Sequence, residues 1–275
     1  RLEGRPAAVL FENVKGHTAS IFTGLYWSRE LLADLVGCRE EDLSRFIAAR
    51  IADWGRNPLP PEVRKTGPVK QVTRKVTDVT QLPVPIHALG DGGSYFDVSV
   101  LVAKDPETGV RNASIQRVMV VDKTTMALLI DPGRHLGVYL EKAAARKQPL
   151  PFTLNVGVGP GVYFAGATPP GAAPVDTDEL GIASEFEGGR LELVRGDTSN
   201  VELVANAMYA LECDLLPGEL EEEGPFAEVT GLYASREPRW KVRVKAIHHR
   251  RRPIFHTLLC GAEVANSAGL LAEGH

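Results

Sequence analysis

The sequence predicts an α+β protein in which a small N-terminal α/β part leads into an antiparallel sheet that curls into a barrel. Two observations predict it. Helical periodicity dominates the early part of the chain, and from about Tyr95 onward short Val-, Ile-, Leu- and Thr-rich runs alternate with turns. Residues 6–14 read as a strand that ends in a polar turn at Lys15-Gly16. Residues 28–55 read as helical: Ser28 suits an N-cap, and apolar side chains recur at Leu31, Leu32, Leu35 and Val36. A second helix starts at Asp42 or Ser44, carries Phe46, Ile47, Ile51 and Trp54, and stops at Gly55. Residues 57–67 are Pro-rich and aperiodic, a linker, and 78–86 are extended. Strands are expected at 95–104, 112–122, 125–130, 152–158, 190–196, 228–234 and 240–248, with a hairpin turn at Asp122-Lys123-Thr124. Helices are expected at 134–147 and about 199–211, the latter capped by Ser199.

Composition narrows the function classes. At 44% hydrophobic and 24% charged residues, the chain can build an ordinary globular core. A net charge of −4 gives no basic field for nucleic acid or an anionic membrane. The one basic run, His248 to Arg252, reads as a solvated strand end. Three scattered cysteines, Cys38, Cys213 and Cys260, make no disulfide framework and suit a reducing, cytoplasmic setting. No apolar run approaches the roughly 20 residues that span a bilayer. The first residue is Arg1 and the last four are Ala272-Glu273-Gly274-His275, so both ends are expected to be cuts.

Four clusters could carry chemistry, and each also has an ordinary structural reading. In Asn112-Ala113-Ser114-Ile115-Gln116-Arg117, an arginine within an apolar strand needs an anion if buried, and a carboxylate fits its fork. In Asp131-Pro132-Gly133-Arg134-His135, a turn delivers a cation and a titratable ring to a helix start, where anions are favoured. Pro174 to Leu180 is an acidic turn able to hold Mg2+ or Mn2+, or simply solvated. Glu219 to Glu228 crowds carboxylates, which disfavour one another's ionisation, so a proton donor could sit there. A solvated acidic loop explains Glu219 to Glu222 well, whereas Glu223-Gly224-Pro225-Phe226 suggests a fixed, packed turn. Gly157-Val158-Gly159-Pro160-Gly161 matches neither the dinucleotide fingerprint nor the P-loop and reads as a turn.

Together these blocks resemble the UbiD family of prenylated-flavin decarboxylases. Leu10-Phe11-Glu12-Asn13-Val14-Lys15-Gly16 is similar to the family's opening strand and turn, and Asn112-x-Ser114-x-x-Arg117 to its cofactor strand. His135 follows eighteen positions after Arg117. Asp178-Glu179-Leu180, leading to Glu192-Leu193-Val194, is similar to the metal-glutamate segment, and Glu223-Gly224-Pro225-Phe226-Ala227-Glu228 to the E-G-P-[FY]-[GA]-[ED] signature.

The resemblance implies an N-terminal α/β domain at 1–90, a split β-barrel prenylated-flavin-binding domain at 91–260, and the start of a truncated C-terminal region at 261–275. It implies that Asn112, His135 and Glu179 hold Mn2+ or Mg2+, with K+ as a further ion. Ser114, Ile115, Gln116, Arg117, Arg134, Thr168 and Pro169 would line prenylated FMN together with that trio. Arg117 would bind the substrate carboxylate, Glu223 would be the general acid, and Glu228 would partner Arg117. The implied reaction is reversible, non-oxidative decarboxylation of an aromatic or α,β-unsaturated acid, in a homodimer or higher oligomer, with a flavin prenyltransferase as cofactor source and no nucleic-acid or membrane partner. Two other readings stay open: an inactive flavin-binding or scaffold subunit of the same fold, and a metal-dependent hydrolase using Glu179, His135 and Glu223.

Overall fold

A computed structural model describes residues 8–26, 28–75, 78–174, 176–228 and 231–258. Residues 6–7, Val175, 229–230, Cys260 and the expected C-terminal region 261–275 lie outside these.

β1 (Val9–Phe11) and β2 (Ser20–Thr23) pair antiparallel. α1 (Arg29–Val36) starts on Ser28, whose Oγ accepts from the Leu31 N–H at 3.1 Å, and stops at Gly37 with φ +76°. α2 (Leu43–Arg56) turns Leu43, Ile47 and Trp54 inward. The linker expected at 57–67 contains β3 (Glu62–Arg64), and β4 (Val72–Arg74) follows. Next come β5 (Tyr95–Lys104), β6 (Arg111–Val120), β7 (Thr125–Leu128), α3 (His135–Ala145) and β8 (Leu150–Val156). Two short helices, α4 (Pro160–Ala167) and α5 (Leu180–Glu187), precede β9 (Glu192–Arg195) and β10 (Glu202–Val204). β11 (Tyr209–Glu223), β12 (Phe226–Ala227), β13 (Tyr233–Ala234), β14 (Glu237–His249) and β15 (Ile254–His256) complete the order.

The large sheet runs β11-β8-β5-β6-β7-β14-β4, and β11 also pairs with β14, so six antiparallel strands close into a ring. Elements from the two ends of the chain interlock with each other and with the sheet: β15 lies parallel to β2, β3 parallel to β9, and β4 antiparallel to β14. β5 is buried on both faces. Val98, Val100 and Val102 pack with the helices, and Phe96, Leu101 and Ala103 pack with Phe152, Leu154 and Leu211. Covered on both sides, β5 is apolar through Val100–Ala103, and its polar side chains Asp97 and Ser99 are buried and hydrogen-bonded.

The same burial corrects one expectation. The helix expected at 199–211 is absent. Those residues form β10 and the start of β11, with Val201, Leu203, Val204, Tyr209, Ala210 and Leu211 all buried. An apolar run buried all round mimics a helical stripe, and only its pairing with β9, β8 and β14 settles its form. The turn expected at 157–161 is shorter than read, because α4 starts at Pro160. Within 228–234 the described residues hold only the two-residue β13, paired with β12.

Candidate functional site

β6 organises the site. It pairs with β5 along its length, but with β7 only at Val118–Val120. Among the described residues one edge of 112–117 therefore lacks a strand partner, so side chains from both faces, and the backbone between them, reach the same space. That edge is covered by the end of α4 and the start of α3, and the enclosed cleft has a volume of about 510 Å3. A cleft of this size is in the range of cofactor sites. Asn112, Ser114, Ile115, Gln116, Arg117, Arg134, His135, Thr168, Pro169 and Glu179, the residues named from the sequence as cofactor-binding, all line it. Close approach matters at Gly166: a Cβ there would sit 3.3 Å from the Ile115 backbone N, so glycine lets α4 lie on the free edge.

At one end Asn112, His135 and Glu179 meet, all buried. Asn112 Nδ2 donates to Glu179 Oε1 at 2.9 Å, His135 Nδ1 lies 3.0 Å from the same oxygen, and the Ala113 N–H donates to Glu179 Oε2 at 3.2 Å. Arg111 holds the neighbouring Asp178 at 2.6 Å, which fixes the turn that presents Glu179. Asn112 Oδ1 and His135 Nε2 are buried without a hydrogen-bond partner. Two orphaned lone pairs beside a buried carboxylate fit a small divalent cation with oxygen and nitrogen ligands. His135 opens α3, whose N-cap Arg134 supplies no side-chain cap, so the free N–H groups of that first turn and the Arg134 cation fit a phosphate.

At the other end Arg117 joins the cleft to the acidic signature. Its Nη1 donates to Glu228 Oε1 at 2.7 Å, its Nε lies 3.5 Å from Glu223 Oε1, and its guanidinium sits over the Phe226 ring at 4.8 Å. Glu223 is 1% exposed. Arg117 Nε, Glu223 Oε2 and Arg239 Nε are buried without hydrogen-bond partners, so this end too is undersatisfied. The acidic run is dispersed by position along β11, with only Glu222 on the opposite face. Glu219 and Glu221 pair with Lys241 at the surface, Glu222 is exposed, and Glu223 alone points into the site.

Three contributors were not read from the sequence. The Tyr95 hydroxyl donates to Glu223 Oε1 at 3.0 Å. Burial first, and the Glu223 carboxylate second, push that phenol well above its ordinary value, so it stays a donor. Arg239 Nε lies 3.8 Å from Glu223 Oε2. Asp91 accepts from the His87 and Ala88 N–H groups with one oxygen and from the Ala227 N–H at 2.9 Å with the other, anchoring the turn. The Gly92 N–H donates to the Pro225 carbonyl at 2.7 Å. A Cβ on Gly92 would come within 2.0 Å of the Gly224 carbonyl, and Gly224 itself takes φ +97°, so both positions demand glycine. The Gly90-Asp91-Gly92-Gly93 cluster was the available turn signal.

Known proteins share this arrangement of chain. Residues 61–263 match the UbiD family description, a 3-octaprenyl-4-hydroxybenzoate carboxy-lyase Rift-related domain. An uncharacterized protein in the cooM 5′ region of Rhodospirillum rubrum is 62% identical across the whole chain, which covers 59% of that protein. The anhydromevalonate phosphate decarboxylase of Methanothermobacter thermautotrophicus is 34% identical over 91% of the chain and 57% of its own length. Among solved structures, an evolved dimeric form of the UbiD-class enzyme HmfF from Pelotomaculum thermopropionicum, in complex with prFMN, superposes with a TM-score of 0.89 at 36% identity, covering 97% of this chain and 61% of that one. The chain thus spans about three fifths of the length of these relatives. A family match over most of the chain, and a shared fold at more than a third identity, show that this chain belongs to the UbiD family.

Proposed function

We propose that this chain carries the cofactor and proton-transfer machinery of a reversible, non-oxidative decarboxylase for aromatic or α,β-unsaturated carboxylic acids. The ring of strands is read as the family's split β-barrel, with prenylated FMN in the cleft beside β6. Asn112, His135 and Glu179 would hold Mn2+ or Mg2+, and Arg134 with the α3 N-terminus would take the cofactor phosphate. Loss of CO2 from an sp2 carbon leaves electrons that no side chain can delocalise, and prenylated FMN, when bound, supplies that sink.

The supporting observation is Arg117, which lines the cleft and contacts both glutamates of the signature turn. Its planar fork suits a substrate carboxylate, and the donor that lacks a partner, Nε, lies on the Glu223 side. Glu228 would hold the guanidinium in place through its 2.7 Å contact. Glu223, buried with one oxygen unpartnered, would deliver a proton to the carbon that loses CO2, and the apolar wall of Phe226 and Met119 would keep water from competing. Retention of the arginine and both glutamates, in contact, favours an active centre over an inactive scaffold. The hydrolase reading needs Glu223 at the metal trio, and no hydrogen bond or ion pair joins them among the described residues.

Protein made with and without a flavin prenyltransferase tests the reading. The expected results are a change in the visible absorbance spectrum, release of prenylated FMN detected by mass spectrometry, and decarboxylation only in the prenylated preparation. Turnover with unmodified FMN alone would reject it.

A further inference from the structure

The basic run His248 to Arg252 takes no part in the flavin cleft. It follows β14, and the fold brings it against two other segments. Arg251, Arg252 and His249 share a cleft of about 640 Å3 with His17, from the turn before β2, and Arg74, at the end of β4. No aspartate or glutamate lines this cleft, although the chain as a whole carries more acidic than basic residues. Arg251 and Arg252 are exposed and make no side-chain ion pair among the described residues, and Arg74 Nη1 donates to Gln81 Oε1 at 3.5 Å. Excess positive charge around a concavity raises the local concentration of anions.

A second feature makes this more than a cationic surface. His249 is 8% exposed, forms part of the cleft wall, and has a buried Nε2 with no hydrogen-bond partner. Its Nδ1 lies 2.7 Å from the Arg250 carbonyl, so Nδ1 carries the proton and Nε2 offers a lone pair. Burial holds the ring below its ordinary value, the Arg250 carbonyl opposes this, and Arg74 and His248 add to the depression. The cleft therefore combines several guanidinium forks with one neutral acceptor. That set matches a phosphate group that keeps one proton, as in hydrogen phosphate or a monoprotonated phosphate ester: the forks take the charged oxygens, and the P–OH donates to His249 Nε2.

We propose that this cleft, formed by His17, Arg74, His249, Arg251 and Arg252, is a binding site for a small phosphate-bearing molecule, separate from the flavin cleft. No residue lines both cavities. The size of the cavity favours a small molecule over an acidic protein segment.

The test is calorimetric titration of the protein with inorganic pyrophosphate at low ionic strength, repeated with Arg251→Ala/Arg252→Ala, His249→Gln and Arg134→Ala. The two exposed arginines can be removed without touching the core, so the double variant is expected to fold with an unchanged melting temperature. Saturable binding that weakens by about tenfold or more in the double variant, yet persists in Arg134→Ala, is the expected result. His249→Gln should weaken it less. Absence of saturable binding, or equal affinity in the wild type and the double variant, would overturn the proposal. So would binding lost in Arg134→Ala but kept in the double variant, which would place the anion in the flavin cleft. An acidic peptide binding more tightly than pyrophosphate at the same arginines would reassign the surface to a protein partner. None of these outcomes depends on decarboxylase activity.

Discussion

Two clusters in this protein, each built around a buried glutamate and a buried histidine, differ in what they leave unsatisfied. Asp197, Glu212 and His248 bring potential ligand atoms within 4.8 Å of one another, as a metal site would. Yet Glu212 Oε1 accepts from the Asp197 N–H and lies 2.7 Å from His248 Nε2, while Oε2 accepts from the Thr198 N–H and hydroxyl. His248 Nδ1 lies 3.0 Å from the Thr73 hydroxyl. Every lone pair there that faces the interior has its donor, so the cluster ties β11 to β14 and β4. The Asn112, His135 and Glu179 cluster has orphaned atoms on two of its three members. Residue type therefore does not separate a structural knot from a ligand site in this fold, and unmet hydrogen-bonding capacity does.

The comparison breaks most visibly through function. Glu223→Gln is expected to lower turnover by about 10²–10⁴ while the bound flavin keeps its absorbance, because it removes only the proposed proton donor. Wild-type turnover in that variant would remove the proposed acid. Glu212→Ala should do the reverse. It is expected to lower the unfolding free energy in urea by about 3–5 kcal/mol, the scale for stripping one partner from a buried pair, and to leave flavin affinity in the surviving folded protein unchanged. The pH dependence sharpens this. Burial pushes the Glu212 carboxyl up, but hydrogen bonds from His248, Thr198 and the Asp197 backbone outweigh it and hold it at about 2, against an ordinary 4.5. The stability it contributes is complete above the unfolded value and is lost as pH falls through the folded one. Between about pH 4.5 and 2 the wild type should lose stability that Glu212→Ala no longer has to lose. Third, His135→Ala should weaken Mn2+ binding by more than the about 10–100-fold that loss of an outer-shell partner costs, and His248→Ala should not change it.

The sequence revealed the site through residues that lie close together along the chain or follow a family order. Asn112 to Arg117 sit on one strand, His135 opens a helix, and Glu179 precedes one. What it could not reveal depends on tertiary pairing. Nothing local marks residues 112–117 as a strand with a free edge, because that follows from where β7 stops pairing. Tyr95 is 128 positions from Glu223, and a tyrosine opening an apolar strand reads as core until the ring brings them together. Glu223, set apart in the sequence from the solvated Glu219 to Glu222 by its Gly-Pro-Phe turn, is the buried end of β11, while Glu219 and Glu221, on the same face further back, pair with Lys241 at the surface. Residues 199–211 failed as a helix because their buried runs, Val201–Ala205 and Tyr209–Leu211, are covered on both faces like β5, and length and neighbours, not periodicity, decide.

Tyr95→Phe should have the smallest effect and isolates one hydroxyl beside Glu223, at the other end of the cleft from the Asn112, His135 and Glu179 trio. The ring packs against Phe226 with centroids 4.5 Å apart, and phenylalanine keeps that contact. Only the hydroxyl is lost, and with it the donor to Glu223 Oε1 and the weaker contact to the Pro225 carbonyl at 3.4 Å. Arg117 remains beside the same oxygen, so the carboxylate is not stranded. The stability cost should be about 1 kcal/mol, that of one ordinary hydrogen bond, far below that of Glu212→Ala. If Tyr95 merely supports the turn, kcat will follow the small loss of stability and Tyr95→Leu, which also disrupts the packing, will be much worse in both respects. If it orients the Glu223 carboxyl for proton delivery, kcat will fall in Tyr95→Phe with an unchanged KM and an intact melting curve, and the pH profile will move. The Glu212 cluster and the Glu223 end of the cleft would then differ in kind: in one, hydrogen bonds hold the fold, and in the other, they hold a proton donor in position.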